Sequence, residues 1–209
     1  MKRLLGWTAG LVIGLATLAL LGLLAGAFLL RGSLPQLDGE VAAGEGAPTA
    51  AVTLERDADG SPTVRGRSEA DVAYGLGFLH AQDRFFQMDL SRRLAAGELA
   101  ALLGERMTAQ DRKARLFRFR QVARRVVADA TPAQRAVLEA YARGVNRGLD
   151  SLRVRPWEYI LLRATPQPWR PEDSVLVVHS MWWQLQYYEL RQEIARRAIG
   201  ARVEERVAA

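Results

Sequence analysis

The groups best suited to chemistry crowd into one stretch, Gly75 to Arg93, with the sequence GLGFLHAQDRFFQMDLSRR. His80 and Asp83 stand three apart, a spacing that lets a carboxylate orient an imidazole as a general base, although such a pair still needs a nucleophile nearby. Asp83, Arg84, Asp89, Arg92 and Arg93 could clamp an anion. The i,i+3 and i,i+4 spacings of Asp89 to Arg92 and Arg93 instead describe helix ion pairs. Phe85, Phe86 and Met88 read as packing. On residue type and spacing the stretch is scaffold, with His80 a hydrogen-bonded helix histidine.

A second group lies about a hundred residues later, in VLVVHSMWWQLQYYELRQEIARRA. On a helix Met181, Leu185 and Glu189 fall at i, i+4 and i+8, with Trp182 beside them. Such a stripe is either core or the wall of an apolar pocket. His179, among Val177, Val178 and Trp182, reads as a core or pocket-wall histidine. Glu189 is either an exposed partner of Arg191 or Arg196, or one ligand of a hard cation whose other oxygens come from elsewhere. Glu193 takes that place if the register slips by a turn.

The elements that carry these groups are mostly helical. Val52 and Leu54 alternate with polar residues, Asp59-Gly60-Ser61-Pro62 supplies a turn and Val64 resumes an extended run, which predicts one hairpin. Ser68 with Asp71 opens a helix in the manner of a capping box. Its pattern continues to Gly104, with Gly97 as an interruption. Thr131-Pro132 with Gln134 starts another helix, on which Leu138, Tyr141, Val145 and Leu149 form a buried stripe. Pro156, Pro166, Pro168 and Pro171 break the next stretch into short pieces. A last helix is expected from Pro171 to a cap at Gly200.

Ahead of all this, Leu4 to Leu30 carries no charge and is flanked by Lys2, Arg3 and Arg31. As a helix it reaches roughly 40 Å, enough to cross a ~30 Å hydrocarbon core with tilt. Residues 1–31 are therefore a signal anchor spanning through 4–30, or a signal peptide cut near Ala25-Gly26-Ala27. The basic N-terminus keeps that end cytoplasmic, so the rest of the chain is expected to be exported. Residues 32–50, rich in Gly, Pro, Ala and acids, read as a linker.

There is no cysteine, so an exported domain must be held by packing, metal or a partner chain. The net charge of +6 comes from arginines dispersed among acids rather than in a basic block, which argues against nucleic acid as a partner. The same dispersal argues against a module that acts on anionic lipid.

Taken in order, LERDADGSPTVRG, SEADVAYGLGFLHAQDRFFQMDLSRRLAAGELAALLG and PWEYILLRATPQPWRPEDSVLV resemble the α-chain region of the penicillin acylase family of N-terminal-nucleophile hydrolases. HAQDRFFQMDLSRR and PQPWRPEDS are the sharpest motifs, and Ser61 stands where the family's turn usually has Val. The resemblance implies an α+β fold, mostly helical in this segment, forming the α-chain part of an αββα sandwich over residues 51–209. It implies hydrolysis of linear amides of acylated small molecules, of the penicillin, acyl-homoserine lactone or lipopeptide type.

The family's catalyst is an N-terminal Ser, Thr or Cys whose own α-amine, with a pKa of about 8, serves as the base. Its usual Ser-Asn-x-Trp-like setting does not occur in these residues, so no catalytic residue is assigned to them. The β-chain region of the same precursor or a neighbouring frame is the expected partner, and this segment alone is expected to be inactive. By resemblance Met181, Trp182 and Leu185 line the acyl pocket, and Glu189 is a ligand of structural calcium. The alternative is a membrane-anchored helical scaffold or binding protein without catalysis.

Overall fold

An uncharged run has no amphipathic face to bury. The first helix of the computed structural model, α1 (Lys2–Gly32), accordingly extends away from the rest of the chain, and its stretch Val12–Gly32 has no buried part and a mean hydropathy of 2.4. By length and composition it can cross a membrane. The structure describes residues 2–44 and 46–208; Met1, Glu45 and Ala209 lie outside the described residues.

The predicted hairpin forms. Strands β1 (Thr53–Arg56) and β2 (Pro62–Arg65) pair antiparallel, with Leu54 opposite Val64. Nine helical elements complete the order among the described residues: α1 with α2 (Glu69–Ala96), α3 (Ala100–Leu103), a 3-10 turn at Glu105–Met107, α4 (Thr108–Arg115), α5 (Phe119–Asp129), α6 (Pro132–Asp150), α7 (Trp157–Leu161) and α8 (Pro171–Ala208) account for all but the loops. Ser68 caps α2 by accepting from the Asp71 N–H, and Gly97 ends it at φ 70°. Thr131 and Gln134 close a reciprocal capping box on α6, with Pro132 at the first helical position. Helix α2 is kinked at Arg84, whose φ of −143° is not helical.

Two glycines in GLGFLH explain why this part of α2 sits where it does. A Cβ on Gly75 would enter the space of Val52 and Val64 of the hairpin, and one on Gly77 would strike the backbone carbonyl of Tyr141 on α6. Across the same crossing, Gly144 and Gly148 face the carbonyls of Tyr74 and Phe78. The α2–α6 pair is thus in backbone contact, and larger residues would hold the axes apart. Phe85, Val145, Tyr159 and Trp169 fill the core beside it.

Residues 32–50 connect α1 to the hairpin along the outside of this pair. Arg147 Nε donates to Ala42 O (2.8 Å), Tyr74 Oη to Ala43 O (3.0 Å) and Arg143 Nε to Gly46 O (3.0 Å). Thr49 donates through N–H and hydroxyl to the buried Asp71 carboxylate. The segment is a strap fastened at several points.

The expected stop at Gly200 is not observed, since α8 runs through it to Ala208. A cap requires the left-handed conformation, which Gly200 does not adopt. Glycine inside a helix is less favourable than Ala by only about 1 kcal/mol, and the flanking Ala201, Arg202, Glu204, Glu205 and Arg206 are good helix formers.

Candidate functional site

Of the charged residues in the Gly75 to Arg93 stretch, Asp89, Arg92 and Arg93 pair in the interior rather than on a wet face, while Asp83 and Arg84 are exposed. Asp89 is fully buried and accepts from Arg92 Nε (2.7 Å), Arg93 Nε (2.9 Å) and the Tyr159 hydroxyl (2.6 Å). Arg92 then reaches out of its helix. Its Nη1 donates to Asp173 Oδ2 (2.6 Å) and Pro168 O (2.9 Å), its Nη2 donates to Gln167 O (2.8 Å), and its guanidinium lies 4.9 Å from the Trp169 ring centroid. Arg120 of α5 joins Asp173 to Glu98. The two sharpest sequence motifs are therefore clamped to each other by one guanidinium, each of whose three nitrogens donates.

With protein acceptors on every nitrogen of Arg92, that network is an internal clamp rather than an anion site. Asp83 is engaged as well, accepting from Arg56 of β1 at 2.9 Å. His80 Nδ1 is 2.9 Å from the Tyr141 hydroxyl. Burial pushes the His80 imidazole below its ordinary pKa, against the opposing pull of Asp83, and pushes the Tyr141 phenol up to about 12. A neutral histidine hydrogen-bonded between two packed helices fits the scaffold reading of the stretch.

The second group has a different environment. Met181 and Leu185 are 57% and 66% exposed, so the stripe they share is not core within this chain. Trp182, beside them, is held by an aromatic cluster absent from the sequence expectations: Phe117 and Phe119 stack on each other with centroids 5.3 Å apart, and Trp182 meets both edge-on at 6.4 and 5.8 Å. Phe119 also stacks on His179 at 4.8 Å. Burial lowers the His179 pKa, and its Nδ1 is buried without a hydrogen-bond partner.

The two phenylalanines reach α8 because of Arg118 between them, a non-glycine residue at φ 53° that joins α4 to α5. Left-handed backbone at a bulky residue is uncommon and calls for compensation, here supplied by the stacked rings on either side. The signal in the sequence is the pair of phenylalanines two apart in LFRFRQ, which matches neither a helix stripe nor a hairpin.

Glu189 lies two turns beyond Met181 and is exposed. Glu193 pairs with Arg197 and Arg196 instead. Among the described residues no three His, Asp or Glu side chains converge as a metal would require. A cavity of about 590 Å³ does exist, but it lies under the strap, between Leu37, Val41, Leu54, Tyr74 and Phe78, and none of Met181, Trp182 or Leu185 borders it.

Comparison with known proteins agrees with this architecture. The Penicillin amidase family description matches residues 51–209. The chain is 38% identical over 164 residues to Penicillin acylase 2 proenzyme of Pseudomonas sp. (strain SE83), a match covering 75% of this chain and 21% of that protein. It is 39% identical over 127 residues to the acyl-homoserine lactone acylase QuiP of Pseudomonas putida, covering 60% and 16%. The thermostable penicillin G acylase of Alcaligenes faecalis superposes with a TM-score of 0.58 at 29% identity, covering 70% of this chain and 84% of that one. The chain spans about a fifth of the length of these curated relatives. On the family match, the ordered motifs and the shared helical frame, the chain belongs to the penicillin amidase family.

Proposed function

We propose that this chain is the α-region of an exported amidohydrolase that cleaves linear amides of acylated small molecules, and that the exposed face of α8 is its contribution to the acyl pocket. The observation that carries the reading is the stripe of Met181, Trp182 and Leu185, left uncovered beside the Phe117 and Phe119 stack. An apolar acyl group laid against it gains about 0.8 kcal/mol per buried methylene, which makes such a face able to select chain length.

The remaining parts come from the β-region of the precursor, which would complete the αββα sandwich over the hairpin and α8. An N-terminal Ser there attacks the amide carbonyl, its α-amine taking the hydroxyl proton and passing it to the leaving amine as the C–N bond breaks. Water then releases the acid from the acyl-enzyme. Glu189 supplies one carboxylate to a structural calcium. Since calcium takes six to eight oxygens, this chain does not hold the ion by itself, and the proposal is confined to that single ligand.

The test compares the 209-residue chain with its precursor on p-nitroanilides of phenylacetic acid and of fatty acids. The chain alone should release no nitroaniline, and hydrolysis by it would overturn the assignment of the nucleophile to the β-region. In the precursor, Trp182→Ala should raise KM for the preferred acyl group severalfold and change the order of preference. Unaltered preference in Trp182→Ala and Leu185→Ala together would show that the face does not touch the acyl group.

A further inference from the structure

The end of α1 is fastened to the domain behind it. The Val154 N–H donates to the Gly32 carbonyl at 2.9 Å, and the Val154 side chain occupies the space that a Cβ on residue 32 would need. From this point the strap runs beside α6, tied first by Arg147 and then by Arg143. The span end therefore meets the domain at the C-terminal end of α6, in the loop 151–156.

That loop and the helix after it have an uncommon surface. Arg153 and Arg155 are exposed, as is Arg31 at the end of α1, and none of the three forms an ion pair among the described residues. On α7, Trp157 and Leu161 stand four apart and are 48% and 75% exposed, while Tyr159 on the opposite face is buried. An exposed Trp–Leu pair that follows two exposed arginines, on a loop tied to the end of an apolar span, matches the chemistry of a bilayer interface. Tryptophan settles at headgroup level, and guanidinium groups bind phosphate oxygens bidentately.

We infer that the surface formed by Arg31, Arg153, Arg155, Trp157 and Leu161 rests on the phospholipid headgroups of the membrane that α1 enters. The inference rests on the reading of α1 as an uncleaved span. It holds the C-terminal end of α6 against the bilayer and so fixes how the domain stands on the membrane. Because the attraction is to an anionic surface, each arginine should shift the contact equilibrium about fivefold.

The chain has no cysteine, so single cysteines can be labelled without background. The full-length protein carrying a fluorophore at Leu161→Cys, or at Leu116→Cys for comparison, is reconstituted into phosphatidylethanolamine and phosphatidylglycerol vesicles containing a headgroup-level nitroxide lipid. The Leu161 label should be quenched at least threefold more strongly than the Leu116 label. Arg153→Gln with Arg155→Gln, checked for unchanged circular dichroism, should remove most of the difference. Equal quenching at the two sites, in protein that resists alkaline carbonate extraction, overturns the platform and leaves the span intact. Release by carbonate overturns the span and the platform with it. Undiminished quenching in neutral phosphatidylcholine vesicles overturns the part assigned to the arginines.

Discussion

Asp89→Ala should be the most damaging single substitution in the Gly75 to Arg93 stretch, although Asp89 is fully buried. Three donors converge on its carboxylate, from Arg92, Arg93 and Tyr159, all within 2.9 Å. Its removal leaves the Tyr159 hydroxyl buried without an acceptor and deprives Arg92 of one of its two carboxylate partners, while Asp173 and two carbonyls still hold that guanidinium. Breaking a buried pair by deleting one member costs about 3–5 kcal/mol, a large share of the roughly 5–15 kcal/mol that separates folded from unfolded domains. Tyr159→Phe removes one charge-assisted bond and should cost about 1.5–3 kcal/mol. Asp89→Asn keeps an acceptor but loses the charge, and should fall between the two. Pulse proteolysis in urea on the detergent-solubilised chain reads all three, and a double substitution of Asp89 and Tyr159 should be less than additive. A loss below about 1 kcal/mol for Asp89→Ala, or equal losses for Asp89→Ala and Tyr159→Phe, would refute the view that this carboxylate anchors the buried network through which Arg92 joins the two motifs.

Other expectations follow from single contacts. Gly144→Ala drives a methyl into the Tyr74 carbonyl across the α2–α6 crossing and should destabilise by about 1–3 kcal/mol or more, whereas Gly200→Ala, with nothing near its added methyl, should stabilise α8 by about 0.5–1 kcal/mol. The same urea series separates the two signs. Thr131→Ala removes the reciprocal cap of α6 and should cost about 1 kcal/mol. His80 is held below its ordinary pKa, so the unfolded chain takes up this proton first as pH falls. Stability should therefore decline from about pH 6.5 downward until the folded-state pKa is passed, and His80→Gln should flatten that part of the pH profile.

Local rules were enough for much of the chain. The hairpin, the Ser68 cap, the Thr131 box and the short pieces between prolines depend on neighbours within a few residues, so backbone sterics and capping express them directly in the sequence. The family was legible for the same reason, since its motifs are contiguous and ordered. The Asp89 pairs with Arg92 and Arg93 were legible as i,i+3 and i,i+4 neighbours, but their burial was not. Periodicity reports which residues share a face, and says nothing of which distant element covers it.

What the sequence by itself determined is thus the inventory: an apolar helix, a hairpin, capped helices and a stripe of Met181, Trp182 and Leu185. Only the tertiary structure decided the partners. Arg92 meets Asp173, 81 residues on, Phe117 and Phe119 meet Trp182, and Val154 closes on Gly32. These contacts join segments whose separation along the chain leaves no local pattern, because they form only when surfaces distant in sequence fold together.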